Sequence, residues 1–140
     1  MRIFKAVLSA LLVITFIALL ASAYTQYKTN LAVAGLVDAS SSIANHLVLE
    51  TLAYQQGSSV KEYVVDASKL QSVGFTQEIG GENFEFQITL NYMAGVERTL
   101  GPYGSAPPAQ KAVSTISIPV SVFDNYRFEA GKMELKVWRI

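Results

Sequence analysis

The sequence predicts an α+β protein, in which a long N-terminal helix packs on a small antiparallel β-sheet domain. Three observations predict it: an uncharged apolar run near the N-terminus, a proline-free amphipathic segment directly after it, and several alternating segments beyond. We therefore divide the chain into a membrane-spanning or signal/anchor helix at 1–28, an amphipathic helix at 29–56 and an antiparallel β-domain at 57–140.

Composition narrows the class of protein before any motif is considered. The 140 residues include 11 basic and 11 acidic side chains, one histidine and no cysteine. Charged residues make up 16% of the chain and hydrophobic residues 51%, which disfavours intrinsic disorder. Zero net charge gives no large counterion-release term, so no nucleic-acid partner is expected. The lack of cysteine excludes a disulfide scaffold, a thiol nucleophile and cysteine-based metal sites.

The apolar run is long enough to cross a lipid bilayer. Between Lys5 and Lys28 no charge occurs over the 22 residues from Ala6 to Tyr27. As a helix this run is about 33 Å long, which matches a hydrocarbon core of about 30 Å. Arg2 and Lys5 precede it, so the positive-inside rule predicts a single pass with a cytoplasmic N-terminus and an extracytoplasmic C-terminal domain.

Two kinds of processing compete with a plain anchor. MRIFK followed by a 15-residue apolar stretch and Ala21-Ser22-Ala23 also fits a secretory signal peptide cleaved after Ala23. That cleavage would release a secreted or cell-surface β-domain. Cleavage between Lys5 and Ala6 would instead leave the apolar helix on the mature protein.

The segment Thr29–Gln56 predicts an amphipathic helix that continues the apolar one. It has no proline and one glycine, Gly35, and a turn cluster begins at its end. We expect one helix from about Ile3 to Tyr54, with Asp38–Ser42 as the place where it bends or a second helix begins. The apolar and small residues at helical spacing are Val33, Leu36, Val37, Ser40, Ile43, Ala44, Leu47 and Tyr54.

Beyond Gly57 the hydrophobic period changes from that of a helix to that of strands. Alternation over Phe84–Tyr92, Val113–Phe123 and Lys132–Arg139 predicts three strands, with shorter candidates at 63–65 and 75–79. The residues predicted to face the core are Phe84, Phe86, Ile88, Leu90, Tyr92, Ile116, Ile118, Val120, Val122, Met133, Leu135 and Val137. The residues predicted to face water include Glu85, Gln87, Thr89, Asn91, Lys132, Glu134 and Lys136.

The connections between these strands predict how the sheet is built. Turn signals occur at Gly80-Gly81, at Gly101–Gly104 and at Asp124-Asn125 with Gly131. Pro119 removes a backbone donor, which places its strand at an edge or at a bulge. Strands in series without intervening helices favour an antiparallel sheet, and its apolar face needs a cover. The amphipathic helix is the only candidate for that cover.

The sequence shows no set of residues typical of a catalytic, cofactor-binding or metal site, and we predict neither a cofactor nor an enzyme activity. His46 and Glu50 share a helix face, but a third ligand is missing, so a surface pair is favoured. Glu78, Glu82 and Glu85 surround the Gly80-Gly81 turn without a calcium-loop pattern, which favours a solvated hairpin.

Two further patterns are weaker. Ser40-Ser41-Ser42 lacks the context of a nucleophile, and the glycines form no phosphate-binding motif. Gly35 and Ala39 form a small-xxx-small pair that permits close helix contact, although such pairs are expected by chance in an alanine-rich segment.

The layout resembles that of type IV pilin-like proteins, and among them the archaeal members with small β-rich head domains. Lys5-Ala6 loosely fits the family's cleavage position, whereas no glutamate occurs before Glu50, unlike the bacterial pilins. The closing stretches Ser117–Val120 and Gly131–Arg139 are similar to archaeal pilin-like tails. The resemblance implies a membrane-anchored structural subunit that assembles with copies of itself or other pilin-like subunits into a cell-surface filament, or serves one as an accessory.

Two other functions remain open at this point. One is a secreted or cell-surface binding domain released by signal-peptide cleavage. The other is a single-pass accessory subunit of an envelope complex.

Overall fold

The computed structural model describes residues Met1–Ile140 and confirms the α+β class. It contains a long helix followed by a seven-stranded sheet, and it divides into two compact units, Met1–Gly35 and Leu36–Ile140. The elements are helix α1 (Arg2–His46), a π-helical turn (Leu47–Thr51), strands β1 (Ala53–Gln56) and β2 (Ser59–Asp66), a 3-10 helix (Ala67–Ser72), and strands β3 (Thr76–Ile79), β4 (Glu82–Ala94), β5 (Val96–Tyr103), β6 (Ser114–Asp124) and β7 (Arg127–Arg139).

The long helix forms as predicted but ends earlier. It continues without a break through Asp38–Ser42, so no second helix begins there. It closes in a π-helical turn, where the Leu52 N–H donates to the Leu47 carbonyl at 2.8 Å. The predicted end at residue 56 is wrong, because residues Ala53–Gln56 pair with β2 as a strand. Tyr54 therefore lies on a strand and not on the helix.

The sheet is mixed, although most of its pairs are antiparallel. Its strand order is β1-β2-β6-β7-β4-β3, and β5 pairs with the side of β4 that β3 also occupies. The pair β2–β6 is parallel over Val64–Asp66 and Ser121–Phe123, so the purely antiparallel prediction needs this correction. Parallel pairing is possible here because the 3-10 helix and three further strands separate β2 from β6 in sequence.

Strand β6 shows why its proline is tolerated. On the β2 side it is paired only from Ser121 onwards, whereas on the β7 side it is paired along its whole length, with Pro119 opposite Lys132. Pro119 therefore lies in a part of the strand that has a neighbour on one side only, where a missing N–H costs least. The predicted edge position therefore holds only for this part of the strand, because β6 as a whole lies between β2 and β7 in the sheet.

Two of the predicted turn signals lie within strands. The stretch Gly101–Gly104 was expected to be a turn, yet β5 extends to Tyr103 and pairs it with Ile88. Gly131 lies inside β7, opposite Val120 on one side and Tyr92 on the other. The Asp124-Asn125 signal is confirmed as a tight hairpin, with φ near 50° at Asn125 and 60° at Tyr126.

The core forms between the second half of the helical segment and one face of the sheet. Leu36, Ile43 and Leu47 are buried there as predicted. Ile116 and Ile118 contact the core but remain half-buried, because this part of β6 has no neighbour on its β2 side. The sheet residues that form this core are Val65, Phe84, Phe86, Ile88, Leu90, Tyr92, Val120, Val122, Met133, Leu135 and Val137.

The opposite face of the sheet is less wet than the alternation predicts. Gln87 was expected to face water but is only 8% exposed. Trp138, the register partner of Glu85, is 1% exposed, and its Nε1 donates to Glu85 Oε2 at 3.3 Å. This large indole occupies space on the face that was assigned to solvent.

Strands β4 and β7 approach each other closely at Gly131. A Cβ at Gly131 would collide with the Asn91 carbonyl oxygen and would lie 2.7 Å from the Tyr92 Cβ. We expect Gly131→Ala to lower the free energy of unfolding by on the order of 1–3 kcal/mol, because the two strands must separate. Chemical denaturation of the full chain in detergent measures the effect.

Gly74→Ala is the matched control for that variant. No atom lies within 4 Å of a Cβ at Gly74, so this substitution should leave stability unchanged or raise it slightly by restricting the unfolded chain. Equal stabilities of the two variants would contradict the close approach.

Candidate functional site: an exposed apolar helix

The most unusual surface of the molecule is the first unit of the chain. Every residue from Met1 to Ala34 is exposed, and the run from Ala6 to Tyr27 carries no charge. This helix is long and apolar enough to cross a membrane, and none of its most apolar stretch is buried within the molecule. An exposed apolar surface of this extent indicates contact with lipid or with other protein.

The hydroxyl groups within this helix are satisfied by its own backbone. Thr15 Oγ1 donates to the Leu11 carbonyl at 2.8 Å, and Thr25 Oγ1 donates to the Ala21 carbonyl at 2.9 Å. Thr29 Oγ1 does the same with the Thr25 carbonyl, again at 2.9 Å. A hydroxyl that is bonded within its own helix loses little when water is removed. These threonines are therefore compatible with an apolar environment.

The C-terminal end of the run carries groups that are typical of a membrane–water boundary. The Lys28 ammonium lies 5.1 Å from the centroid of the Tyr24 ring, in a cation–π arrangement. Tyr27 is exposed beside them. Tyrosine and lysine at the end of an apolar helix place an amphipathic ring and a charge at headgroup level.

One face of the same helix is lined by small and hydroxyl side chains. At 3.6 residues per turn, Ala18, Ser22, Thr25 and Thr29 lie on one face. Leu20, two residues before Ser22, points about 200° away from it. Small side chains allow two helices to approach closely in a membrane, so this face is suited to a partner helix.

The sequence-predicted pair His46 and Glu50 is present on the helix surface. The His46 Nδ1 lies 3.2 Å from Glu50 Oε2, and both side chains are exposed. An exposed pair of this spacing contributes a few tenths of a kcal/mol. It is not joined by other side chains that can ligate a metal.

The three glutamates near the Gly80-Gly81 turn do not converge on one site. Glu82 forms an ion pair with Arg139 at 2.9 Å, and Glu85 accepts from the Trp138 indole. Glu78 lies on β3, opposite Asn83. Each of these carboxylates therefore lies in its own surroundings on the hairpin.

The serine cluster and the small-residue pair contribute to the core instead. Ser40 is buried, and its Oγ donates to the Val37 carbonyl at 2.8 Å. The same Oγ lies 2.9 Å from Ser114 Oγ at the start of β6. Ala39, the second member of the Gly35–Ala39 pair, is buried in the core, where its small side chain lets the helix approach the sheet.

A cluster of aromatic rings at the other end of β6 was not predicted from the sequence. Phe123 lies 4.2 Å from Tyr54, 5.0 Å from Phe128 and 6.4 Å from Tyr126, measured between ring centroids. These residues come from β1, β6, β7 and the hairpin between the last two strands. The density of aromatic residues around Asp124-Asn125 was the available signal.

A hydrogen bond that was not predicted from the sequence joins this hairpin to β4. The Tyr92 hydroxyl, on β4, donates to Asp124 Oδ2 at 2.5 Å. This hydrogen bond, with burial as a second cause, raises the pKa of the Tyr92 phenol above its ordinary value of 10.0. The neutral phenol is therefore favoured in the folded protein.

No family model, no curated protein and no solved structure matches the chain. The order of its elements, an apolar helix followed by a β-sheet domain, is compatible with a pilin-like layout.

The raised pKa of Tyr92 predicts a loss of stability at alkaline pH. Since the folded pKa lies above the unfolded one, the contribution is complete below pH 10 and disappears as the pH rises through the folded pKa. Thermal melts between about pH 8 and 11 should therefore fall more steeply for the wild type than for Tyr92→Phe.

Tyr126→Phe is the control for this measurement, because Tyr126 is nearly fully exposed and no hydrogen bond of its hydroxyl would be lost. It should keep the wild-type pH dependence. At neutral pH, Tyr92→Phe should itself be destabilised by on the order of 1–2 kcal/mol, the value of the lost hydrogen bond. Parallel curves for the wild type and Tyr92→Phe would refute the assignment.

Proposed function

We propose that this protein is a membrane-anchored, pilin-like structural subunit that assembles through its N-terminal helix into a cell-surface filament or serves one as an accessory. The observation that carries the proposal is the first unit, Met1–Gly35, whose apolar side chains are all exposed while the core of the second unit is built without them. In this proposal the activity is assembly, and no turnover is involved.

In the proposed assembly the helix first lies in the bilayer, and contacts with other helices then replace its contacts with lipid. Transfer of the apolar side chains out of water stabilises the inserted state by roughly 25 cal/mol per Å² of buried apolar surface. Within the bilayer that term no longer drives association, so packing along small residues determines which helices come together. The face with Ala18, Ser22, Thr25 and Thr29 supplies such a surface.

The orientation proposed for the anchor follows from its flanking charges. Arg2 and Lys5 lie on the cytoplasmic side, and Lys28 with Tyr24 lies at the outer boundary. The β-domain is then extracytoplasmic, on the face of the membrane where a filament is exposed.

A charge in the apolar run should prevent both insertion and assembly. A lysine at the centre of a spanning helix costs on the order of 3 kcal/mol of insertion free energy. We expect Leu12→Lys combined with Ile17→Lys to move the protein from the membrane fraction and to abolish sedimentable filaments or complexes. Alkaline extraction and sedimentation of the native assemblies measure the two effects.

Val60→Lys is the matched control, since Val60 is an exposed apolar residue of β2 outside the apolar run. It should remain in the membrane fraction and assemble. Circular dichroism of the variants should show a folded β-domain in each. Wild-type assembly by the double variant would overturn the proposed function.

The helix face can be tested by introduced cysteines, because the chain has none of its own. If Ser22 faces a partner helix, Ser22→Cys should form disulfide-linked dimers in native membranes after mild oxidation. Leu20→Cys lies about 200° around the helix and should crosslink far less. The comparison of the two dimer yields on a non-reducing gel reports the face, and equal yields would exclude a preferred one.

A secreted or cell-surface binding domain is the second candidate, favoured by Ala21-Ser22-Ala23 after an apolar stretch. The mass of the native N-terminus separates the candidates. A protein that begins at Tyr24 would exclude the pilin-like subunit. An intact Met1 without filaments would indicate an accessory subunit of an envelope complex, whereas cleavage near Ala6 supports the proposal.

A further inference from the structure

Two aromatic rings form a corner beside a small surface cavity at the end of β6. The Phe123 and Tyr126 ring planes meet at 89°, with their centroids 6.4 Å apart. The cavity has a volume of about 300 Å³, at the lower end of the range for small-molecule sites. Its lining residues are Asp66, Ser68, Phe123, Asp124, Asn125 and Tyr126.

A tyrosine at position 126 does not favour the folded state. Its side chain is 95% exposed, so it buries little apolar surface. Its φ of 60° lies in the left-handed region, where a bulky residue is disfavoured and where the hairpin turn favours glycine or asparagine. The tyrosine therefore costs stability without contributing to the core, which favours a role towards an external ligand.

The two carboxylates of the cavity each keep one oxygen without a partner. Asp66 Oδ1 accepts from the Ser68 N–H at 3.1 Å and from Ser68 Oγ at 2.7 Å. Asp124 Oδ2 accepts from Tyr92. Neither carboxylate forms an ion pair. No basic residue lines this cavity, whereas Asp124 also lines a neighbouring cavity together with Arg98 and Arg127. Asp66 is therefore the carboxylate on which the charge of the site chiefly depends.

The electrostatics of this lining select the charge of a ligand. Aromatic faces carry a negative quadrupole, and the carboxylates add full negative charge. An anion would be repelled by Asp66, and a neutral apolar molecule would gain nothing from the carboxylates. A compact cation with an apolar surface gains from both kinds of group, as in aromatic cages for quaternary ammonium.

We propose that the corner formed by Phe123 and Tyr126, together with Asp66 and Asp124, binds an alkylated ammonium group. The methyl groups contact the ring faces, and the carboxylates neutralise the charge. Free choline-like molecules and phosphocholine headgroups share this chemistry, and the experiment below distinguishes them.

The site belongs to the β-domain alone and does not depend on the proposed assembly. Ser40, near the point where the helix enters this domain, contacts Ser114 at the start of β6. The cavity lies at the end of the same strand, about 30 Å away at 3.3 Å per residue. A failure of this proposal would leave the assembly proposal unaffected.

The test is a titration of the full chain in a maltoside detergent, which carries no ammonium headgroup. Choline and tetramethylammonium should each bind with a dissociation constant of about 1 mM, detected by tyrosine fluorescence or by chemical shifts of the aromatic residues. The uncharged tert-butyl analogue of choline, in which carbon replaces nitrogen, should bind at least about fivefold more weakly.

Tyr126→Gly separates binding from folding. Glycine accepts the left-handed conformation, so the variant should melt at the wild-type temperature or above it, while its affinity for choline falls at least about fivefold. Tyr63→Gly is the matched control, because Tyr63 is also exposed with φ of 60° but does not line the cavity. It should retain wild-type affinity.

Glycerophosphocholine identifies the source of the ligand. Tighter binding than choline supports a phosphocholine headgroup, and weaker binding supports a free alkylated ammonium compound. Equal affinity for choline and its tert-butyl analogue would overturn the proposal and indicate an apolar groove. Unchanged binding in Tyr126→Gly, or no binding of either cation at about 10 mM, would also overturn it.

Discussion

The structure depends on one constraint, which is that a single sheet with an apolar face must be covered. Residues Leu36–Leu52, together with Leu70 of the 3-10 helix, cover it. Ile43, Val48 and Leu52 are fully buried as a result. Each such side chain contributes roughly 1.5–3 kcal/mol. Removal of this helical segment would expose Phe86, Ile88 and Leu135 to water, so the helix is a structural part of the β-domain.

The same constraint separates the chain into two chemical environments. The buried side chains of the core all lie from Leu36 onwards. The residues before Gly35 take no part in this core and are exposed. The threonine hydroxyls of the first unit bond only to their own helix. The Ser40 hydroxyl in the second unit bonds both to its own helix, at the Val37 carbonyl, and to Ser114 on β6. Hydroxyls that bond only within their own helix suit a helix without fixed neighbours. A hydrogen bond from the helix to a strand suits a helix that is packed in a core.

Much of the fold could be predicted from the sequence, because its main elements have clear periods. Three of these elements could be read from neighbouring residues alone. They are the apolar helix, from its uncharged run; the amphipathic helix, from the spacing of Leu36, Ile43 and Leu47; and a strand, from the alternation over Phe84–Tyr92. Tyr54 was misassigned because its spacing fits a helix as well as it fits a strand, and only the pairing of β1 with β2 decides between them. The parallel β2–β6 pair likewise depends on contacts between residues far apart in sequence.

The candidate sites show the same division. The apolar helix was predictable because its signal is a continuous stretch of composition. The aromatic corner was not, because the cavity proposed to bind a ligand also needs Asp66, which lies more than fifty residues earlier in the chain. The Asp124-Asn125 turn was recognised, but its hydrogen bond to Tyr92 joins two distant strands and leaves no local pattern.

The half-paired strand β6 has a consequence for copies of this domain held at high local concentration. A strand with a free side can accept a strand from a neighbouring molecule, and this is how folded β-proteins begin to aggregate. From Ser114 to Val120 that side of β6 does not pair with β2. Within this stretch Pro119 has no N–H to donate to the backbone hydrogen bonds of an added strand. The proline thereby shortens the stretch on which a foreign strand could add, which protects crowded domains from fusing edge to edge.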